Sequence, residues 1–70
     1  MGKLWDTYNT VDNKGYCEIH FSSKDEMFYI KYFDNNNKVF FVEDFPNKSL
    51  YYVRDAAENW CTGLKKLDII

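Results

Sequence analysis

The sequence predicts a small α+β protein in which one C-terminal helix packs on an antiparallel meander of three to four strands. Three observations support this fold class. Apolar and polar residues alternate along successive segments of the first 45 residues, which is typical of half-buried strands. Short, turn-like connections separate these segments, and such connections favour antiparallel neighbours. A later segment, LYYVRDAAENWCTGL, has its apolar residues at helical spacing.

Four segments are expected to form the sheet. The first is ambiguous, because its apolar residues have helical spacing whereas its threonines and asparagine favour a strand or a turn. We interpret it as a strand that pairs with the second. Turn residues accumulate at residues 12–15, where Gly15 is expected to supply a positive φ, and at residues 34–37. The predicted strands are residues 4–11, 16–21, 27–33 and 38–45.

The helix is predicted over residues 49–63. Asn47 or Ser49 is suited to cap its start, and Gly63 is suited to end it in a left-handed conformation. An alternative follows from the β propensity of the LYYV segment, which would then form a further strand and leave a shorter helix that begins at Asp55. We expect the tail, residues 64–70, to pack on the core or to extend a sheet edge.

Length and charge narrow the class of protein. Seventy residues are enough for one domain, residues 1–70. The net charge of −2 argues against tight non-specific binding to nucleic acid. The sequence has no recognisable signal peptide, and no apolar run approaches the roughly 20 residues that span a bilayer. We therefore expect a cytoplasmic protein that does not enter a membrane.

Candidates for catalysis and metal binding are few. His20 is the only histidine, and Glu18 is its nearest candidate partner on the same strand face, so we expect a solvated histidine rather than a general base or a zinc ligand. Cys17 and Cys61 both fall on predicted core faces, where the helix could bring them together. Buried free thiols are the favoured interpretation and a disulfide is the alternative. The sequence therefore predicts no enzyme, no metal site and no cofactor.

Aromatic side chains make up 14 of the 70 residues. If the helix covers one face of the sheet, the other face carries aromatic and aliphatic side chains interleaved with charged ones, whereas a solvated face is normally polar. Large apolar patches rimmed by charge tend to mark interaction sites. The alternative is that Leu4, Trp5, Tyr8 and the C-terminal tail fold over this face. The residues predicted to bind a partner are Tyr16, Tyr29, Phe33 and Phe41, with Lys31 setting the register.

In its length, its many aromatic and asparagine residues and its low cysteine content, the whole chain resembles the compact accessory proteins of tailed bacteriophages. This resemblance implies that the partner is a host or defence protein, such as a CRISPR nuclease, which the small protein blocks. We predict a non-enzymatic protein-interaction module that binds a protein partner or a second copy of itself. The alternatives are single-stranded nucleic-acid binding by aromatic stacking and a small homodimeric structural protein.

Overall fold

The computed structural model describes residues 2–12 and 14–63, which form a four-stranded antiparallel sheet followed by one helix. The strands lie in chain order, so that each pairs with its sequence neighbours. This confirms the predicted α+β fold class, and the sheet has four strands rather than three. The predicted tail, residues 64–70, lies outside the described residues. The elements are β1 (Gly2–Asn9), β2 (Gly15–Ser22), β3 (Met27–Asp34), β4 (Val39–Phe45) and α1 (Leu50–Cys61).

Each edge strand of the sheet carries one bulge. In β1 the extra residue is Trp5, which interrupts the register with β2. In β4 the extra residue is Phe40, which lies between the residues that pair with Tyr32 and Phe33 of β3. An extra residue shifts the alternation of side chains by one position and increases the local twist. The bulges therefore decide which β1 and β4 side chains face the helix.

The core lies between α1 and one face of the sheet, called here the helix-side face. Ile19, Ile30 and Val53 are fully buried in it. Tyr32 is also fully buried, and its ring meets Trp60 of α1 edge-on with the ring centroids 4.9 Å apart. The core residues are Cys17, Ile19, Ile30, Tyr32, Phe45, Val53, Ala57 and Cys61.

Both ends of α1 are capped as the sequence predicts. The side-chain oxygen of Ser49 accepts a hydrogen bond from the backbone N–H of Tyr52 at 3.3 Å. Gly63 has a φ of 86° and donates its N–H to the carbonyl oxygen of Trp60 at 3.1 Å. Residues 50–53 belong to the helix, so the alternative of a further strand there is wrong. The physical reason is that helical spacing directs Val53 into the core, where it is fully buried.

The helix is also tied to β1. Arg54 donates a hydrogen bond to the hydroxyl of Tyr8 at 3.2 Å and another to Oδ2 of Asp6 at 3.4 Å. The contact with Tyr8, and to a smaller degree that with Asp6, raises the pKa of Arg54 above its usual value.

Trp5 packs edge-on against Phe28, with ring centroids 5.8 Å apart. Trp5 and Tyr8 therefore lie on the helix-side face, so the alternative that they fold over the opposite face is wrong for these two residues, whereas Leu4, which pairs with His20, does lie on that face.

Gly15 is required for space rather than for backbone conformation. Its φ lies outside the left-handed region, so the predicted positive φ is wrong. A Cβ atom at this position would lie 2.6 Å from the carbonyl oxygen of Phe33 on the neighbouring strand. Glycine is therefore the residue that lets β2 begin this close to β3.

Candidate functional site

The face of the sheet opposite α1, called here the open face, is the candidate functional site. Strand pairing defines its members, because directly opposite side chains point to the same face. Its middle row contains Glu18 and Lys31, which are direct partners on β2 and β3. One flanking row contains Tyr16 opposite Phe33, and the other contains His20 opposite Tyr29. The edge strands extend the three rows with Leu4, Thr7, Asn9, Val39, Val42 and Asp44.

Each flanking row is built around a stacked pair of rings. The centroids of Tyr16 and Phe33 are 4.5 Å apart, and the ring planes are 4° from parallel. The rings of His20 and Tyr29 are 5.1 Å apart and 10° from parallel. Such aromatic pairs contribute roughly 0.5–1.5 kcal/mol beyond the area that they bury. These four rings of the open face are therefore held in place by one another without any partner.

His20 is joined to the middle row of the open face. Its Nε2 lies 2.9 Å from Oε1 of Glu18, within hydrogen-bond distance. The side chain of His20 is only 12% exposed, compared with 25% for Glu18. The expectation of a solvated histidine is therefore wrong, because the ring of Tyr29 and the carboxylate of Glu18 cover the imidazole.

The structure brings four of the five predicted partner-binding residues together on the open face: Tyr16, Tyr29, Lys31 and Phe33. The predicted placement of Phe41 is wrong. The bulge at Phe40 turns Phe41 to the helix-side face, where it pairs with Tyr32 and packs against the core. The ring centroids of Tyr32 and Phe41 are 5.9 Å apart.

The rest of β4 changes face together with Phe41. Glu43, which regular alternation along β4 would place on the open face, lies on the helix-side face and accepts a hydrogen bond from the hydroxyl of Tyr32 at 2.7 Å. Val42 and Asp44 lie on the open face instead, and sequence reasoning missed both. Val39 and Val42 are 49% and 47% exposed, which makes β4 the more apolar margin of this face, since Leu4, at 52%, is the one apolar residue that β1 adds. The one available signal was VFFV, a run of four apolar residues that breaks strict alternation.

A pair of cysteine thiols lies in the core. The Sγ atoms of Cys17 and Cys61 are 3.9 Å apart, and both residues are free cysteines. Burial raises the pKa of both thiols, and the neighbouring thiol raises that of Cys17 further. Cys61 also lines a cavity of about 380 Å³ between the β1–β2 turn and the end of α1. The favoured interpretation of buried free thiols is thus confirmed, and the helix does bring them together.

Within residues 2–12 and 14–63, no three His, Cys, Asp or Glu side chains are grouped closely enough to hold a metal ion. Over the same ranges, no helix has the length and apolar character needed to cross a membrane. Comparisons with protein-family models, curated proteins and solved structures give no match to this chain.

Proposed function

We propose that this chain is a non-enzymatic protein-interaction module that binds through its open face. The observation that supports the proposal is the arrangement of two stacked aromatic pairs on either side of the Glu18–Lys31 pair. Aromatic side chains that are already ordered offer contact area with little conformational entropy left to lose. Charges between them favour one orientation of the partner over others.

A protein partner fits this face better than a single-stranded nucleic acid. Stacking platforms present ring faces to bases and cations to phosphates. In both stacked pairs of the open face, each ring covers one face of the other. Lys31 stands directly opposite Glu18, and Asp44 adds a second carboxylate to the same face. The charges of the face therefore oppose a phosphate backbone.

The partner that we propose is a second copy of this chain, because the open face is complementary to itself. The acid Glu18 lies on β2, and the base Lys31 lies opposite on β3. A twofold axis that runs parallel to these strands and between them lays β2 of one copy over β3 of the other. Each Glu18 then faces the Lys31 of the second copy, and aromatic pairs face aromatic pairs. Aligned face-to-face packing of two sheets is a common arrangement.

The size of the open face predicts a weak dimer. Four strands about 4.8 Å apart and three rows about 7 Å apart define a patch of roughly 400 Å². Two such patches bury roughly 800 Å², which is less than the roughly 1,200–2,000 Å² of stable specific complexes. We therefore expect a dissociation constant in the micromolar range or weaker, with dimers that form as the concentration rises.

Charge reversal tests this arrangement directly. Glu18→Lys and Lys31→Glu should each raise the dissociation constant at least about tenfold, because like charges then face each other across the twofold axis. An equimolar mixture of the two variants should associate again, since each acidic pair of one chain then faces a basic pair of the other. Sedimentation equilibrium from about 10 µM to about 1 mM measures this as a shift toward twice the chain's 8.4 kDa.

The matched control is Lys24→Glu, the same charge change in the exposed turn between β2 and β3. It should leave self-association unchanged, and far-UV circular dichroism of all variants should match that of the original chain. A chain that stays monomeric at the highest concentration, or a mixture that does not associate, contradicts the second copy as partner.

Steeply salt-dependent binding of a single-stranded oligonucleotide would replace the proposal with the nucleic-acid alternative. Tight capture of a purified host or defence protein by a monomer, abolished by Lys31→Glu, would favour the inhibitor suggested by the bacteriophage resemblance.

A further inference from the structure

We infer that Cys17 and Cys61 form an oxidation site, at which a low-molecular-weight disulfide converts the two thiols into a disulfide that ties α1 to β2. Their Sγ atoms are 3.9 Å apart, although 44 positions separate the residues in sequence. A disulfide bond is about 2.05 Å long, so the two sulfur atoms have to approach by roughly 2 Å. Cys61 is the last residue of α1, so the bond requires an adjustment at the helix end only.

The two thiols differ in access. Cys17 is fully buried, whereas Cys61 is 6% exposed and lines the cavity of about 380 Å³. The cavity lies beside the β1–β2 turn, where Val11 donates its N–H to the carbonyl oxygen of Cys61 at 3.1 Å. An oxidant that enters from solvent therefore meets Cys61 first, and Cys17 is the thiol that resolves the product.

The reaction proceeds in two exchanges. The Cys61 thiol loses its proton to water, and its thiolate attacks one sulfur of glutathione disulfide, which forms a mixed disulfide and releases one glutathione thiolate. Cys17, deprotonated in turn, attacks the Cys61 sulfur of this mixed disulfide and releases the second glutathione. The two protein thiols lose two electrons and two protons, and one glutathione disulfide becomes two glutathione molecules.

The environment of the pair makes this exchange slow and its product persistent. Burial raises the pKa of both thiols, so only a small fraction is thiolate near neutral pH. The raised pKa also makes each cysteine a poor leaving group once the disulfide has formed, which slows reduction of the disulfide. We expect the rate of formation to rise about tenfold between pH 7 and pH 8, because both pKa values lie above 9.0 and the thiolate fraction rises by nearly that factor.

The test compares the folded and the unfolded chain in the same glutathione buffers. The fraction of intramolecular disulfide is measured by acid quenching, alkylation and mass spectrometry, once in buffer and once in concentrated guanidinium chloride. We expect the ratio of disulfide to dithiol in the folded chain to exceed that in the unfolded chain at least about 100-fold, because the fold holds the thiols together. Trypsin should then release residues 15–24 and 55–65 as one cross-linked pair, separated by a reductant.

The single-cysteine variants show the order of attack. Cys17→Ser leaves Cys61, which should stop at the mixed disulfide, whereas Cys61→Ser leaves a buried Cys17 that should remain unmodified in the folded chain. Equal or lower disulfide content in the folded chain than in the unfolded chain would overturn the inference. Intermolecular dimers or mixed disulfides as the sole products of the original chain would also overturn the inference. Both outcomes are measured on the original chain, so they do not require that any variant folds.

Discussion

Tyr32 donates its phenolic hydrogen to Oε1 of Glu43 at 2.7 Å, and the bulge at Phe40 is what brings the two side chains to the same face. Tyr32 is fully buried, and a buried hydroxyl that lacks an acceptor is costly. With regular alternation along β4, Glu43 would lie on the open face and Phe41 with it. One extra residue therefore determines both a polar contact of the core and the composition of the candidate binding surface.

Tyr32→Phe should lower the free energy of unfolding by about 1–2 kcal/mol, because it removes the donor that Glu43 meets at the edge of the core. Urea unfolding followed by circular dichroism measures the change. Tyr51→Phe is the control, since Tyr51 is 81% exposed on α1 and loses only a solvated hydroxyl, at a cost below about 0.5 kcal/mol. Equal effects of the two substitutions would show that the Tyr32–Glu43 hydrogen bond adds nothing to stability.

The free energy of unfolding should fall as the pH rises above about 9. Burial raises the pKa of Cys17 and Cys61 above the usual 9.0. Burial, with the Glu43 carboxylate adding to it, raises that of Tyr32 above the usual 10.0. The folded chain therefore keeps protons that the unfolded chain releases. The stabilisation from these groups is complete below the pKa values of the unfolded chain. It is lost as the pH rises from those values toward the pKa values of the folded chain.

Urea unfolding at intervals from about pH 7 to about pH 10.5 tests this pH dependence. The decline above about pH 10 should be shallower in Tyr32→Phe, in which the tyrosine no longer titrates. A free energy of unfolding that is constant over the whole interval would contradict the prediction.

Ile30→Val should destabilise the fold by about 1 kcal/mol and Ile30→Ala by about 2–5 kcal/mol, because Ile30 is fully buried against α1 in the middle of the sheet. A core of this size rarely supplies a net stability of more than about 3–5 kcal/mol. We therefore expect Ile30→Ala to be largely unfolded at room temperature, as measured by circular dichroism. Val42→Ala, at a residue that is 47% exposed, is the control and should stay folded.

Ser49→Ala should lower the free energy of unfolding by about 1 kcal/mol, because the N–H of Tyr52 loses its side-chain acceptor at the start of α1. Ser49→Asp should preserve or raise stability, since aspartate also caps and its charge complements a first turn that has no acidic residue. Thermal unfolding of the three chains gives the ranking. An alanine variant as stable as the original chain would show that the cap contributes nothing.

The sequence was a sufficient guide wherever a local pattern agreed with the final packing. Cys17 and Ile19 alternate with Glu18 and His20 along β2, and the structure has these two pairs on opposite faces. Gly63 ended the helix as expected because a left-handed residue is a local requirement. These predictions held because period, capping and turn chemistry depend on neighbours within a few positions.

The predictions failed where contacts between distant parts of the chain decide the structure. Gly15 was interpreted as a source of conformational freedom, but its importance comes from the carbonyl of Phe33, which lies across the sheet. His20 was expected in solvent, but Tyr29 on the next strand covers its ring. Neither contact can be derived from the residues adjacent in sequence.

The sequence by itself determined the fold class, the order of the elements and the central members of the open face, since β2 and β3 alternate without interruption. Only the tertiary structure decided which side of β4 faces outward and that Cys17 meets Cys61. A strand's side-chain period is two, so one bulged residue at Phe40 reverses every later assignment in β4. Whether a strand takes up a bulge depends on twist and packing against its neighbours, which single-strand patterns do not contain.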